Sequence, residues 1–152
     1  MKKFAKIMAV ALVAVMALAV LVACAPASDP QKALDALKKH GYTTTGSAIA
    51  ADNVASKTAC DLMGVTFGVK SGELIAIVTG TKLEETKDED VNGEMVSIYY
   101  FSSSAVAKQA WEGSFFQKLK EEAEKDEDND AIIKLSGSMI YAGTSAGIKA
   151  AR

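Results

Sequence analysis

The chain has 152 residues, 49% of them hydrophobic, with a formal net charge of −2 at neutral pH and two cysteines. That length is enough for one domain with a core of its own. The acidic balance argues against nucleic acid as a partner and against electrostatic binding to anionic lipid.

Lys2, Lys3 and Lys6 open the chain with positive charge, and Ile7 to Ala23 follow for 17 residues without a charged side chain. A helix needs about 20 apolar residues to cross a bilayer core comfortably, so this run fits the apolar region of an export signal better than a spanning helix. The run ends at Leu21-Val22-Ala23-Cys24, followed by Ala25, Pro26, Ala27 and Ser28. Leu21-Val22-Ala23-Cys24 resembles the lipobox of bacterial lipoproteins. The resemblance covers only this opening segment and implies nothing about the fold that follows.

In that family the cysteine sulfur receives a diacylglyceryl group and a peptidase cuts just before it, here between Ala23 and Cys24. Three segments are then expected: a signal peptide over 1–23, a short tether over 24–28 and a single domain over 29–152. The membrane becomes a partner through lipidated Cys24, on the extracytoplasmic side, and in a two-membrane cell the outer membrane is one address. Two other readings stay open. Ala23-Cys24-Ala25 also satisfies the small-x-small rule of ordinary secretory cleavage, and an uncut segment would act as a helical anchor. Loss of the first 23 residues leaves 129, with 14 basic and 19 acidic side chains, a charge of about −5. With Cys24 assigned to lipid, Cys60 has no disulfide partner and is expected to be a buried apolar residue.

Asp29-Pro30 reads as an N-cap followed by proline at the first helical position, and Gly41 as the residue that ends the helix. A helix is expected over 30–40, with Tyr42 folding back on Leu37 and His40 in the last turn, where the helix dipole favours a cation. Tyr42 to Ile49 suggests a strand. Val54, Thr58 and Leu62, four apart, suggest a short helix over 52–62 that stops at Gly64. Val65 to Lys70 and Glu73 to Thr79 flank Ser71-Gly72 and read as a hairpin, with Lys70 facing Glu73.

Met95 to Phe101 is apolar on both faces, the pattern of a central strand. Serines 102 to 104 offer caps for the longest helix, about 104–124. Ala107, Trp111, Phe115, Leu119 and Ala123 make its core stripe, and Phe116 falls off it. Ala131 to Leu135 and Ser138 to Ala142 form a second hairpin around Ser136-Gly137, and Thr144 caps a last helix. Ile98-Tyr99 and Ile140-Tyr141 each precede a Ser/Thr cap and a helix, which raises an internal duplication. Sheet and amphipathic helix together predict an α+β two-layer sandwich, a mostly antiparallel sheet with helices on one face.

Catalytic motifs are scarce. One histidine and one spare cysteine cannot build a zinc site of the usual type, and no nucleophile elbow, phosphate loop or dinucleotide fingerprint occurs. The acids are more informative: 13 of the 19 lie within Glu84–Glu94 and Glu121–Asp130. An antiparallel strand and helix between them would bring both stretches to one end of the domain. Asp88, Asp90 and Asn92, with Gly93 at the turn, resemble the opening of an EF-hand calcium loop, although Tyr99 stands where a bidentate glutamate belongs. Ordinary turn chemistry at Asn92-Gly93 explains the same residues. Three functions therefore compete: a non-catalytic module binding an envelope protein or ligand, a calcium-binding structural or regulatory protein, and a hydrolase working with carboxylates alone.

Overall fold

A computed structural model of the chain describes residues 25–85, 91–125 and 131–152. Ten elements follow in order: α1 (Pro30–Lys39), β1 (Ala48–Ile49), α2 (Val54–Thr66), β2 (Leu74–Glu85), β3 (Val91–Phe101), α3 (Ser104–Glu112), α4 (Ser114–Lys125), β4 (Ile132–Ser136), β5 (Met139–Gly143) and α5 (Ser145–Ala150). The strands make one antiparallel sheet in the order β1-β2-β3-β5-β4. The fold is α+β, and β3 is its central strand as its two apolar faces require. No helix among the described residues is long and apolar enough to cross a membrane.

The helices cover both faces of the sheet rather than the expected one. Val96, Ile98 and Tyr100 of β3 join Val78, Tyr141 and the helix residues Ala33, Leu37 and Ile148 in one buried cluster, roofed by α1 and α5. Phe101 and Ile140 join Cys60, Phe67, Ala110 and Phe116 in the other, roofed by α2, α3 and α4. A strand that is apolar on alternate sides has to be covered twice, so the doubled pattern of β3 already carried this third layer.

Local chemistry sets the first helix as expected. Asp29 Oδ1 accepts from the Lys32 N–H at 2.9 Å, and Gly41, at φ +80°, ends the helix. The Tyr42 N–H then donates to Leu37 O at 3.0 Å, and Tyr42 and Leu37 are buried together. These contacts satisfy carbonyls that a helix end otherwise leaves open. The described residues of the expected tether are not slack. Pro26 is buried, Ala25 and Ala27 pack on the α1/α5 cluster, and the Ala27 N–H donates to Ala151 O at 2.9 Å.

Four further expectations are corrected. Val65 and Thr66 end α2 instead of starting a strand, so Ser71-Gly72 joins helix to β2 and is not a hairpin turn; Glu73 accepts the Lys70 N–H at 2.7 Å. Most of 42–49 is irregular, with one bridge between Thr43 and Thr81 and the two-residue β1. α2 continues through Gly64 and turns Val54 and Leu62 outward, 82% and 69% exposed. Its packed side carries Cys60 and Gly64, whose small size lets the helix come close to Leu74 and Val69. The long helix breaks at Gly113, which is extended at φ −70° and ψ 157°, and the new phase drives Phe116 into the core at 0% exposure.

The second hairpin is present, β4 and β5 closing with Ser136 opposite Met139. Its resemblance to the β3 segment stops at the sheet. The helix after β3 packs on the α2 side, whereas α5 crosses to the α1 side. Gly143 makes that crossing: at φ +154° it lies so near β3 that a Cβ would stand 2.2 Å from Met95 O. The two units are therefore not copies related by a symmetry of the sheet.

Candidate functional site

Odd-numbered residues of β3 point toward α4. Beside them, Ser97 pairs with Ala142 of β5, and Ala142 pairs with Ile133 of β4. Two small side chains in the middle of three strands leave the floor of the sheet low. The break at Gly113 sets α4 across this floor, with Phe116 packed under it against Phe67 and Tyr99 at ring distances of 4.8 and 5.6 Å. Phe115, Leu119 and Ala123 line the space between this helix and the floor. The result is a recess of about 490 Å³ between sheet and helix.

Its lining is mainly apolar: Met95, Phe115, Leu119 and Ile133 supply most of the wall, and Ser97, Tyr99 and Glu122 supply the polar groups. The Tyr99 hydroxyl shares a hydrogen bond with Ser97, and burial pushes its pKa up, so it remains a neutral phenol. A second recess of about 320 Å³ abuts the first and shares Met95, Ala131 and Gly143 with it. Leu83 and Met95, 73% and 57% exposed, border that second part. Together they form an apolar groove of a size that accommodates a small ligand or an extended side-chain-bearing segment.

One acid from each acid-rich stretch lines this groove. Glu94 closes the first acid-rich stretch and lines the second recess, Glu122 lies within the other stretch and lines the first, and Ala131, just after that stretch, lines both. Parts of both stretches, 86–90 and 126–130, lie outside the described residues, and the cavity itself was not expected from the sequence. Two signals pointed to it. Phe115, Leu119 and Ala123 are half-buried along the expected stripe, and Ser97 is the lone polar residue on its face of a central strand.

The other singled-out residues are dispersed. Ala23 and Cys24 lie outside the described residues, as do Asp88 and Asp90. Asn92 and Gly93 are ladder positions opposite Glu84 and Leu83, so the part of the calcium-loop motif expected to curl is extended strand instead. Among the described residues no group of three or more His, Cys, Asp or Glu is placed to hold a metal ion. His40 is the exposed C-cap of α1. Ser103 caps α3, its Oγ accepting the Val106 N–H at 3.3 Å. No family model, curated protein or solved structure matches the chain.

Proposed function

We propose that this protein is a lipid-anchored, extracytoplasmic binding module whose α4 groove takes the apolar segment of a ligand or an envelope partner. The groove carries the reading: an apolar trough of about 490 Å³ continuing into one of about 320 Å³, with one carboxylate, Glu122, on the wall of the larger part. Apolar lining contributes affinity in proportion to the surface it removes from water, and a few polar groups orient the ligand. Glu122 favours ligands that carry a cation beside the apolar segment. The lipobox supplies the address, because a diacylated cysteine holds a protein on a membrane where a single chain does so only marginally.

Two measurements test the two parts. The groove should bind the apolar fluorophore N-phenyl-1-naphthylamine, and Ala123→Trp, which fills the trough from α4, should weaken that binding about tenfold without lowering the thermal midpoint. Equal binding by the variant would remove the groove from consideration. A clickable fatty acid fed to cells should label the wild type and not Cys24→Ser; equal labelling of the two would refute the anchor.

A further inference from the structure

We infer that the α1/α5 face of the domain lies on the membrane, with its basic recess seated on anionic phospholipid headgroups. The inference rests on lipidation of Cys24. Its first ground is the absence of slack after the cysteine. Ala25 and Ala27 pack on the α1/α5 cluster, and Pro26 is buried. Ala27 is held at both of its backbone polar groups, its N–H donating to Ala151 O at 2.9 Å and its carbonyl accepting from the Tyr100 hydroxyl at 2.7 Å. Consecutive Cα atoms are about 3.8 Å apart, so acyl chains on Cys24 leave the protein within one residue of this packed layer. A bilayer that holds them must therefore meet the domain on this side.

The second ground is charge. Lys32, Lys38, Lys39, Lys149 and Arg152 belong to this layer, against Asp29 and Asp35, and all seven are exposed. The helices on the opposite face carry five lysines and five carboxylates, so the excess of positive charge is confined to the tethered side. Net charge alone argued against anionic lipid, but a surface responds to the charges within a Debye length, about 8 Å at physiological salt, and not to the sum over the molecule.

The third ground is shape. Between the end of α1 and α5 lies a recess of about 430 Å³ whose lining includes His40, Tyr42, Lys82, Glu94, Lys149 and Arg152. Glu94 accepts a hydrogen bond from the Tyr42 hydroxyl, which draws part of its charge away from the opening. Lys149 and Arg152, three apart at the end of the chain, frame the entrance, and the planar Arg guanidinium suits two phosphate oxygens at once. Each basic side chain near an anionic surface strengthens attachment roughly fivefold.

The test uses the full lipidated chain in vesicles of phosphatidylcholine alone or with a third phosphatidylglycerol. Lysines are acetylated with a water-soluble reagent and read by mass spectrometry. In anionic vesicles Lys38, Lys39 and Lys149 should be labelled at least threefold more slowly than Lys57 and Lys108 of the opposite face. The contrast should weaken in phosphatidylcholine vesicles and in 0.5 M salt, and in the triple variant K38E/K39E/K149E the protection of Lys32, the lysine left on that layer, should weaken as well. Equal labelling of both faces in anionic vesicles, with the lipid on Cys24 confirmed by mass, overturns the proposed orientation while leaving the anchor intact. An unmodified Cys24 sinks the anchor and this inference with it. Equal protection of Lys149 by soluble glycerol phosphate, with no vesicle present, overturns the membrane as the source of the headgroup.

Discussion

Cys60 and Gly143 are two residues whose surroundings dictate their chemistry. Cys60 is fully buried on the inner side of α2, its Sγ 3.7 Å from Ala48 O. Burial pushes the thiol pKa up, and the neighbouring Asp61 carboxylate adds to the rise. A thiol needs its thiolate to react, so native protein at pH 8 should resist iodoacetamide for hours and be alkylated within minutes in denaturant. Rapid native alkylation would show that α2 opens readily. Asp61 itself is held below the usual carboxylate range, first by the Lys57 ammonium at 2.6 Å and then by the Gly72 N–H at 2.8 Å. That same carboxylate thus ties the end of the 67–73 connection to α2, a contact between residues eleven apart that no local pattern announces.

At the scale of the element, periodicity and packing disagree in two helices, and the disagreement can be measured. α2 has an apolar face of Val54, Leu62 and Val65 that is exposed, while its small-residue face is buried. α4 buries Phe116 among Phe67, Tyr99, Trp111 and Phe115, in ring contacts between 4.8 and 6.5 Å. Replacing a buried phenylalanine by alanine costs about 3–5 kcal/mol, whereas an exposed leucine contributes little. Phe116→Ala should therefore lower the urea midpoint sharply, and Leu62→Ala should leave it within about 0.5 kcal/mol of wild type. The opposite ranking would restore the register read from sequence spacing alone. Helix α1 shows the contrary case. Its cap, proline, stop glycine and fold-back contact are all encoded between Asp29 and Tyr42, and each appears where the sequence places it.

For the whole molecule, the sheet concentrates groups that must remain neutral. Burial raises the phenols of Tyr99 and Tyr100 above their ordinary value, and Cys60 is raised as well. Because the native pKa values are the higher ones, the unfolded chain gives up these protons first as pH rises. Their stabilisation is therefore complete below the ordinary thiol and phenol values, about 8.5 and 10, and is lost as pH climbs through that range toward the native values. The urea midpoint should hold between pH 7 and 8, then fall progressively above pH 9. A midpoint that stays flat to pH 11 would mean that the tyrosines are hydrated in the native state. Tyr100 has a further part at this scale, since its hydroxyl pins Ala27 and so joins the entry of the chain to the centre of the sheet.

What was legible in the sequence had local causes. Helix α1, the β4–β5 hairpin and the central rank of β3 each depend on residues that are neighbours in the chain, and steric and hydrogen-bonding rules act at that range. The side on which each helix packs was not local. Gly113 re-phases α4, and Gly143 carries α5 across the sheet in close approach to the Met95 carbonyl, a residue distant in sequence. The groove lies where α4 spans a floor kept low by the small side chains of Ser97 and Ala142 on two adjacent strands. By itself the sequence determined the first helix, the second hairpin and the central strand. Only the tertiary structure decided which faces were covered, because burial is settled by what arrives from elsewhere in the chain.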